Sequence, residues 1–143
     1  PWKTQARVRE VMSRLYQSTP DGFCGDEDTG QMSAWYVFSA LGFYPVCPGT
    51  TEYQIGSPLF DRVTISLPGG KQFVVTTKQN GPQRPYIRWA TLNNKEFHRS
   101  YLTHDQIIGG GELVFDMTSA PEKWATSPES RAPSALKELS VKP

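Results

Sequence analysis

Residues 25–45 read Gly25-Asp26-Glu27-Asp28-Thr29-Gly30-Gln31-Met32-Ser33-Ala34-Trp35-Tyr36-Val37-Phe38-Ser39-Ala40-Leu41-Gly42-Phe43-Tyr44-Pro45: three consecutive acids, an apolar run, then the Gly and Pro that end it. The pattern predicts a helix over about residues 31–41. Asp28 fits the N-cap position, with Gln31 three residues on as its capping-box partner. Met32, Ala34, Trp35, Tyr36, Val37, Phe38, Ala40 and Leu41 leave that helix no polar face, so burial on every side is expected until Gly42 and Pro45 stop it. A helix N-terminus beside a buried wall favours ionised carboxylates, which suits a base or a cation ligand better than a proton donor.

An Asp-x-x-Gln before an apolar run is also an ordinary helix start. Two features go beyond one. Three acids are more than a cap needs, and the loop before them, Asp21-Gly22-Phe23-Cys24-Gly25, has glycines that let its backbone take unusual angles and approach a ligand closely.

Upstream, residues 2–16 form an amphipathic pattern. Val8, Val11, Met12, Leu15 and Tyr16 share one stripe, while Lys3, Arg7, Arg9, Glu10 and Arg14 cover the other faces. Pro20-Asp21-Gly22 ends any continuation. From Glu52 the texture changes to period two. Val63, Ile65 and Leu67 alternate with Thr64 and Ser66, Pro68-Gly69-Gly70 turns the chain, and Phe73, Val74 and Val75 return. A second hairpin reads Tyr86-Ile87-Arg88-Trp89-Ala90-Thr91-Leu92, turns at Asn93-Asn94 and continues to about Arg99. Residues 102–107 are ambiguous, and residues 112–117 make a last strand. The expected class is α+β: two helices followed by a small antiparallel β-sandwich-like region. The divisions are 1–50 (helices and acidic loop), 51–125 (β-rich region) and 126–143 (an extended or mobile tail, rich in Pro, Ser, Ala, Lys and Glu).

A chain of 143 residues can bury one modest core. Fifteen basic against fourteen acidic side chains give a net charge of +1 and no single-sign field, which makes nucleic acid and anionic membrane poor partners. No apolar run is long enough for a membrane span. No signal peptide opens at Pro1, so the export address of a longer parent would lie outside this sequence. Cys24 and Cys47 are too few for a disulfide scaffold and lack a zinc pattern; a bridge and a pair of unbridged, buried thiols both stay open. His98 and His104 have no nucleophile motif beside them and read as surface or hydrogen-bonded structural histidines. Trp89, Tyr86 and Tyr101 suggest an aromatic platform for a sugar ring, or simply core.

The chain resembles glycoside hydrolase family 92, the calcium-dependent, inverting, exo-acting α-mannosidases. The likeness begins at Pro1-Trp2-Lys3-Thr4-Gln5 and is strongest over Gly25-Asp26-Glu27-Asp28-Thr29-Gly30-Gln31-Met32-Ser33-Ala34-Trp35-Tyr36. It continues through Gly42-Phe43-Tyr44-Pro45-Val46-Cys47-Pro48-Gly49 and Ile55-Gly56-Ser57-Pro58-Leu59-Phe60, and fades after about Trp124. The resemblance implies the C-terminal part of an (α/α)₆-barrel catalytic domain whose general acid, a glutamate, lies upstream. It implies mannose-containing glycans and the remainder of a parent enzyme as partners, and a secreted, periplasmic or cell-surface location.

Asp28 and Asp26 match the family's general-base pair. Asp28 is the first choice for the base, Asp26 shares or orients the water, and Glu27 and Gln31 support the loop or cap the helix. Calcium is implied by the same resemblance. Oxygen-only ligation makes Asp26, Glu27 and Asp28 chemically possible ligands, but the spacing is not that of an EF-hand, so the metal residues stay unassigned and most ligands are expected upstream. Two readings from other classes stand beside this one. A noncatalytic carbohydrate-binding β-rich accessory module would bind sugar through Trp89 rather than the acids. A glycosyltransferase using the acids as a metal clamp would need a Gly-rich strand-to-helix turn, which does not precede them.

Overall fold

A computed structural model describes residues 1–133. Helix α1 runs Trp2–Leu15, one residue short of the expected 2–16, and helix α2 Gln31–Leu41, the bounds the apolar pattern predicts. Gly42 closes α2 at φ 107°, donating its N–H to the carbonyls of Phe38 and Ser39. Eight strands follow: β1 Phe43–Tyr44, β2 Glu52–Ile55, β3 Arg62–Ser66, β4 Gln72–Lys78, β5 Tyr86–Leu92, β6 Lys95–Glu96, β7 Tyr101–Thr103 and β8 Gly111–Thr118. The ambiguous stretch divides into β7 and a short helix α3, His104–Ile108. The capping box of this chain sits here: Thr103 Oγ1 accepts from the Gln106 N–H and Gln106 Oε1 from the Thr103 N–H.

The strands form a three-stranded sheet, β1-β2-β7, and a five-stranded sheet, β3-β4-β8-β5-β6. Both predicted hairpins are present. Pro68–Gly70 joins β3 to β4, and Asn93 and Asn94, at φ 51° and 64°, make the left-handed two-residue turn between β5 and β6. The class is α+β as expected, with one departure from antiparallel pairing: β8 lies parallel to β4 while pairing antiparallel with β5. Local turns specify hairpins but say nothing about which distant strand fills the gap between two of them.

Phe43, Ile55 and Leu102 from the smaller sheet meet Phe73, Val75, Ile87, Leu113, Phe115 and Met117 from the larger in one core. Trp124 joins it after the last strand, donating its indole N–H to the Phe97 carbonyl. Residues 128–130 make a short turn whose Ser130 carbonyl accepts from both the N–H and the hydroxyl of Ser100. The expected extended tail is therefore pinned here. Its remainder, from residue 134, lies outside the described residues.

Helix α1 docks differently from its stripe. Gln5 and Met12 are buried, whereas Leu15 is 45% exposed. Gln5 Oε1 accepts the N–H of Ile87, the residue just before the bulge between Ile87 and Trp89 in the pairing of β5 with β8. Arg9, expected on the solvent face, instead reaches Ser57 Oγ, the Pro58 carbonyl and Asn80 Oδ1. A five-donor guanidinium on a long apolar stem can do both, crossing the helix surface and satisfying three acceptors in two loops. Burial lowers its pKa from the ordinary guanidinium value.

Candidate active site

The acidic loop leaves α1 at Tyr16 and enters α2 at Gly30. Its neck is closed by a β-bridge between Tyr16 and Phe23. Within it, the Gln17 N–H donates to the Gly22 carbonyl at 2.9 Å and the Gly22 N–H to the Thr19 carbonyl at 3.0 Å. Gly22 is needed for proximity: a Cβ there would stand 1.9 Å from the Gln17 carbonyl oxygen. Gly25 has open space around that position, so of the two glycines singled out only Gly22 is constrained by contact.

Aromatics back the loop. The Tyr16 ring stacks on Trp35 at 5.5 Å, lies 5.0 Å from Tyr36 and meets Phe23 edge-on at 5.8 Å. Its phenol titrates above the usual tyrosine value, first through desolvation and then through electrostatic repulsion from neighbouring acidic groups, Glu27 among them. Its O–H points toward the Met32 carbonyl, 3.4 Å away.

The start of α2 corrects the predicted cap. Gly30, at φ 85°, is the N-cap, no side chain bonds from that position, and the Asp28–Gln31 capping box does not form. Thr29 is also left-handed, at φ 57°. Two such residues in succession set Asp28 back from the helix, where only its carbonyl engages it, accepting the Gln31 N–H at 3.0 Å. The capping falls to Glu27. Its carboxylate accepts the Ser33 N–H at 3.0 and 3.3 Å and the Ser33 hydroxyl at 2.8 Å, satisfying a first-turn amide. A serine at the third helical position is the signal in the sequence that marks this arrangement.

All three acids are exposed, and none forms an ion pair among the described residues. Asp28 takes one long hydrogen bond, from Thr29 Oγ1 at 3.3 Å. Asp26 has no side-chain hydrogen bond among the described residues. Among the described residues no group of three or more His, Cys, Asp or Glu side chains is arranged to hold a metal ion. The carboxylate that is buried, Asp116, belongs elsewhere. It lies on β8, paired with Arg88 at 3.2 Å and hydrogen-bonded by Gln79, and holds the β5 bulge.

Other candidates fall away from the loop. Cys24 and Cys47 are free and both exposed, not buried. His104 Nδ1 bonds the Tyr53 hydroxyl, and His98 lies beside Glu96. The aromatic platform does not assemble: Tyr101 is buried in the smaller sheet, while Trp89, on the larger one, is covered by Lys78 Nζ at 5.2 Å. The expected all-round burial of α2 is not met within this chain. Ser39 and Ala40 are buried, but Val37 is 55% exposed, and Phe23 and Leu15 are exposed apolar side chains as well.

Residues 1–119 match the profile of the glycosyl hydrolase family 92 catalytic domain, and the chain belongs to that family. It is similar to a family 92 inverting mannosidase of Bacteroides thetaiotaomicron, with 59% identity and a TM-score of 0.87 over 92% of this chain and 18% of that one. A family 92 α-mannosidase of the same organism, solved with mannoimidazole bound, is 41% identical with a TM-score of 0.90 over 94% of this chain and 18% of its own. An uncharacterized secreted glycosidase of Arthroderma benhamiae is 30% identical over 137 residues, 94% of this chain and 18% of that protein. The chain thus spans about a fifth of the length of these relatives. No helix among the described residues is long and apolar enough to cross a membrane.

Proposed function

We propose that this chain forms the C-terminal part of an exported, inverting exo-α-mannosidase and supplies its general-base carboxylates. One observation carries the reading: the fold uses Glu27 for its own needs and leaves Asp26 and Asp28, on either side of it, exposed with almost no protein partner. A carboxylate must keep a lone pair available to take a proton from water, and Asp28 does.

In the proposed reaction, a glutamic acid outside this chain protonates the departing glycosidic oxygen. Asp28 takes a proton from the water that attacks the anomeric carbon from the opposite face, and Asp26 orients that water. The carbon–oxygen bond to the aglycone breaks as the new one forms, and the two carboxyl groups stand roughly 6.5–9.5 Å apart to admit the water. Calcium, if the parent enzyme holds it beside the sugar hydroxyls, takes most of its ligands from outside the described residues. The exposed apolar side chains of Leu15, Phe23 and Val37 are proposed to be covered by the remainder of the enzyme. The rival sugar-binding module has less support, because its three aromatics are not gathered on one surface.

The test is Asp28→Asn and Asp26→Asn in the full-length family enzyme carrying this chain. Asn keeps the shape and cannot take the proton, so kcat for an α-mannoside should fall by about 10²–10⁴ in Asp28→Asn with a smaller change in KM. Azide should restore turnover as a glycosyl azide of inverted configuration. Near-normal kcat in both single variants and the double variant would return these acids to a structural role.

A further inference from the structure

We infer that Glu27 and Ser33 act as a clamp that positions the two aspartates for the water, an inference that rests on the assignment of Asp28 as base. Glu27 is the middle residue of the triplet, so fixing its side chain fixes the backbone from which both neighbours project. The fixation is strong for an exposed loop: both carboxylate oxygens converge on one residue, through its amide at 3.0 and 3.3 Å and its hydroxyl at 2.8 Å. Left-handed Thr29 and Gly30 fold the segment back so that a side chain six positions upstream reaches the first turn of α2. The turn is completed by the Asp28 carbonyl on the Gln31 N–H and the Gly30 carbonyl on the Ala34 N–H.

Because Glu27 occupies the helix entrance, neither aspartate is drawn into capping it. Helix α2 in turn is fixed by Tyr16 stacked on Trp35 and by Gly42 against Pro58, where a Cβ would stand 3.0 Å from the proline side chain. The clamp therefore refers the two aspartates to a rigid element instead of a loop. That is what a reacting carboxylate needs, since a misplacement of about 1 Å can cost on the order of 10² in rate. Glu27 is a positioning residue in this scheme and touches no reacting atom.

The test uses four variants of the full-length family enzyme: Glu27→Ala, Glu27→Gln, Ser33→Ala and Glu27→Ala/Ser33→Ala. Glu27→Ala should lower kcat by roughly 10–10² with KM changed less than about threefold. Glu27→Gln keeps an oxygen for the Ser33 amide and an NH₂ for its hydroxyl, so kcat should return to within about threefold of the parent. Ser33→Ala should cost a few-fold, and the double variant no more than Glu27→Ala, because the pair acts as one unit. In an Asp28→Asn background, Glu27→Ala should add nothing to the loss in kcat.

A Glu27→Ala enzyme that melts earlier but keeps its kcat would overturn the clamp and leave an ordinary cap. So would a Glu27→Gln enzyme as slow as Glu27→Ala, which would place the charge of Glu27 in the chemistry itself. Loss of kcat in Asp28→Asn with none in Glu27→Ala overturns the clamp and spares the base assignment. Normal kcat in Asp28→Asn and Asp26→Asn overturns both.

Discussion

Gly22→Ala should open the acidic loop while leaving the sandwich intact. The added Cβ would lie 1.9 Å from the Gln17 carbonyl oxygen, 2.8 Å from its carbon and 2.9 Å from the Thr19 carbonyl oxygen, all backbone atoms that cannot swing aside as a side-chain end would. Relief requires the turn to open, with loss of the Gln17-to-Gly22 and Gly22-to-Thr19 hydrogen bonds. At about 0.5–1.5 kcal/mol each, and a similar amount for the Tyr16–Phe23 edge contact, the loop loses on the order of 2–3 kcal/mol, roughly a hundredfold in its closing equilibrium. The turn contributes no residue to the core cluster that holds β4, β5 and β8, so the opening is local.

Hydrogen exchange reads it directly. Protection of the Gln17 and Gly22 amides should fall about a hundredfold while that of Leu113 and Phe115 stays at the parent level. In the full-length enzyme kcat should fall with it, by up to about 10². Unchanged protection at Gln17 together with unchanged kcat would mean that the turn absorbs a methyl group by a small shift, and the argument from close approach would fail.

Gln5→Leu removes the acceptor of the buried Ile87 N–H and should destabilise the chain by about 1–3 kcal/mol, seen as an earlier thermal or urea transition; Gln5→Glu, which keeps an acceptor, tests whether the lost bond rather than the changed shape is responsible. The Glu10 carboxyl is held below its ordinary value of 4.5 by hydrogen bonds from Arg7 and then Arg14. Its contribution to α1 is therefore complete above that value and lost as pH falls through the lowered one, so Glu10→Gln should flatten the part of the acid unfolding limb below about pH 4.5, and added salt should do the same. The described chain by itself should show no turnover of aryl or disaccharide α-mannosides and should self-associate through exposed apolar side chains such as Leu15, Phe23 and Val37. Sedimentation and an activity assay check both, and a monomeric, active preparation would contradict the proposed division of the catalytic pair.

Legibility in the sequence followed the range of the interaction. The bounds of α2, the Asn93-Asn94 turn and the Pro68-Gly69-Gly70 turn are set by residues within a few positions of one another, and each stands where the pattern predicts. The identity of the cap did not, although it too is local. Asp28 and Gln31 have the right spacing, but the left-handed Thr29 and Gly30 hand the role to Glu27 across six positions, and a non-glycine residue with positive φ leaves little trace in a sequence. Arg9 was legible as a cation but not as a three-acceptor anchor, because its acceptors lie in loops 48 to 71 positions away. The exposure of Val37 has a different origin: an apolar sequence states that a surface must be covered and does not state which chain covers it.

The parallel pairing of β8 with β4 bears on the order in which the molecule can be assembled. Strand β8 is made after the other seven, yet it occupies the middle of the larger sheet, bonded on one side to β4 and on the other to β5. Until residues 111–118 have been synthesised, the two hairpins of that sheet have no common partner, and each presents an unpaired inner edge. The register that brings Phe73 opposite Gly111 joins positions 38 apart, a long loop to close before its reward is gained. The two hairpins can therefore be joined into one sheet only in that late step. Ending the polypeptide before Gly111 removes the centre of the sheet rather than its margin.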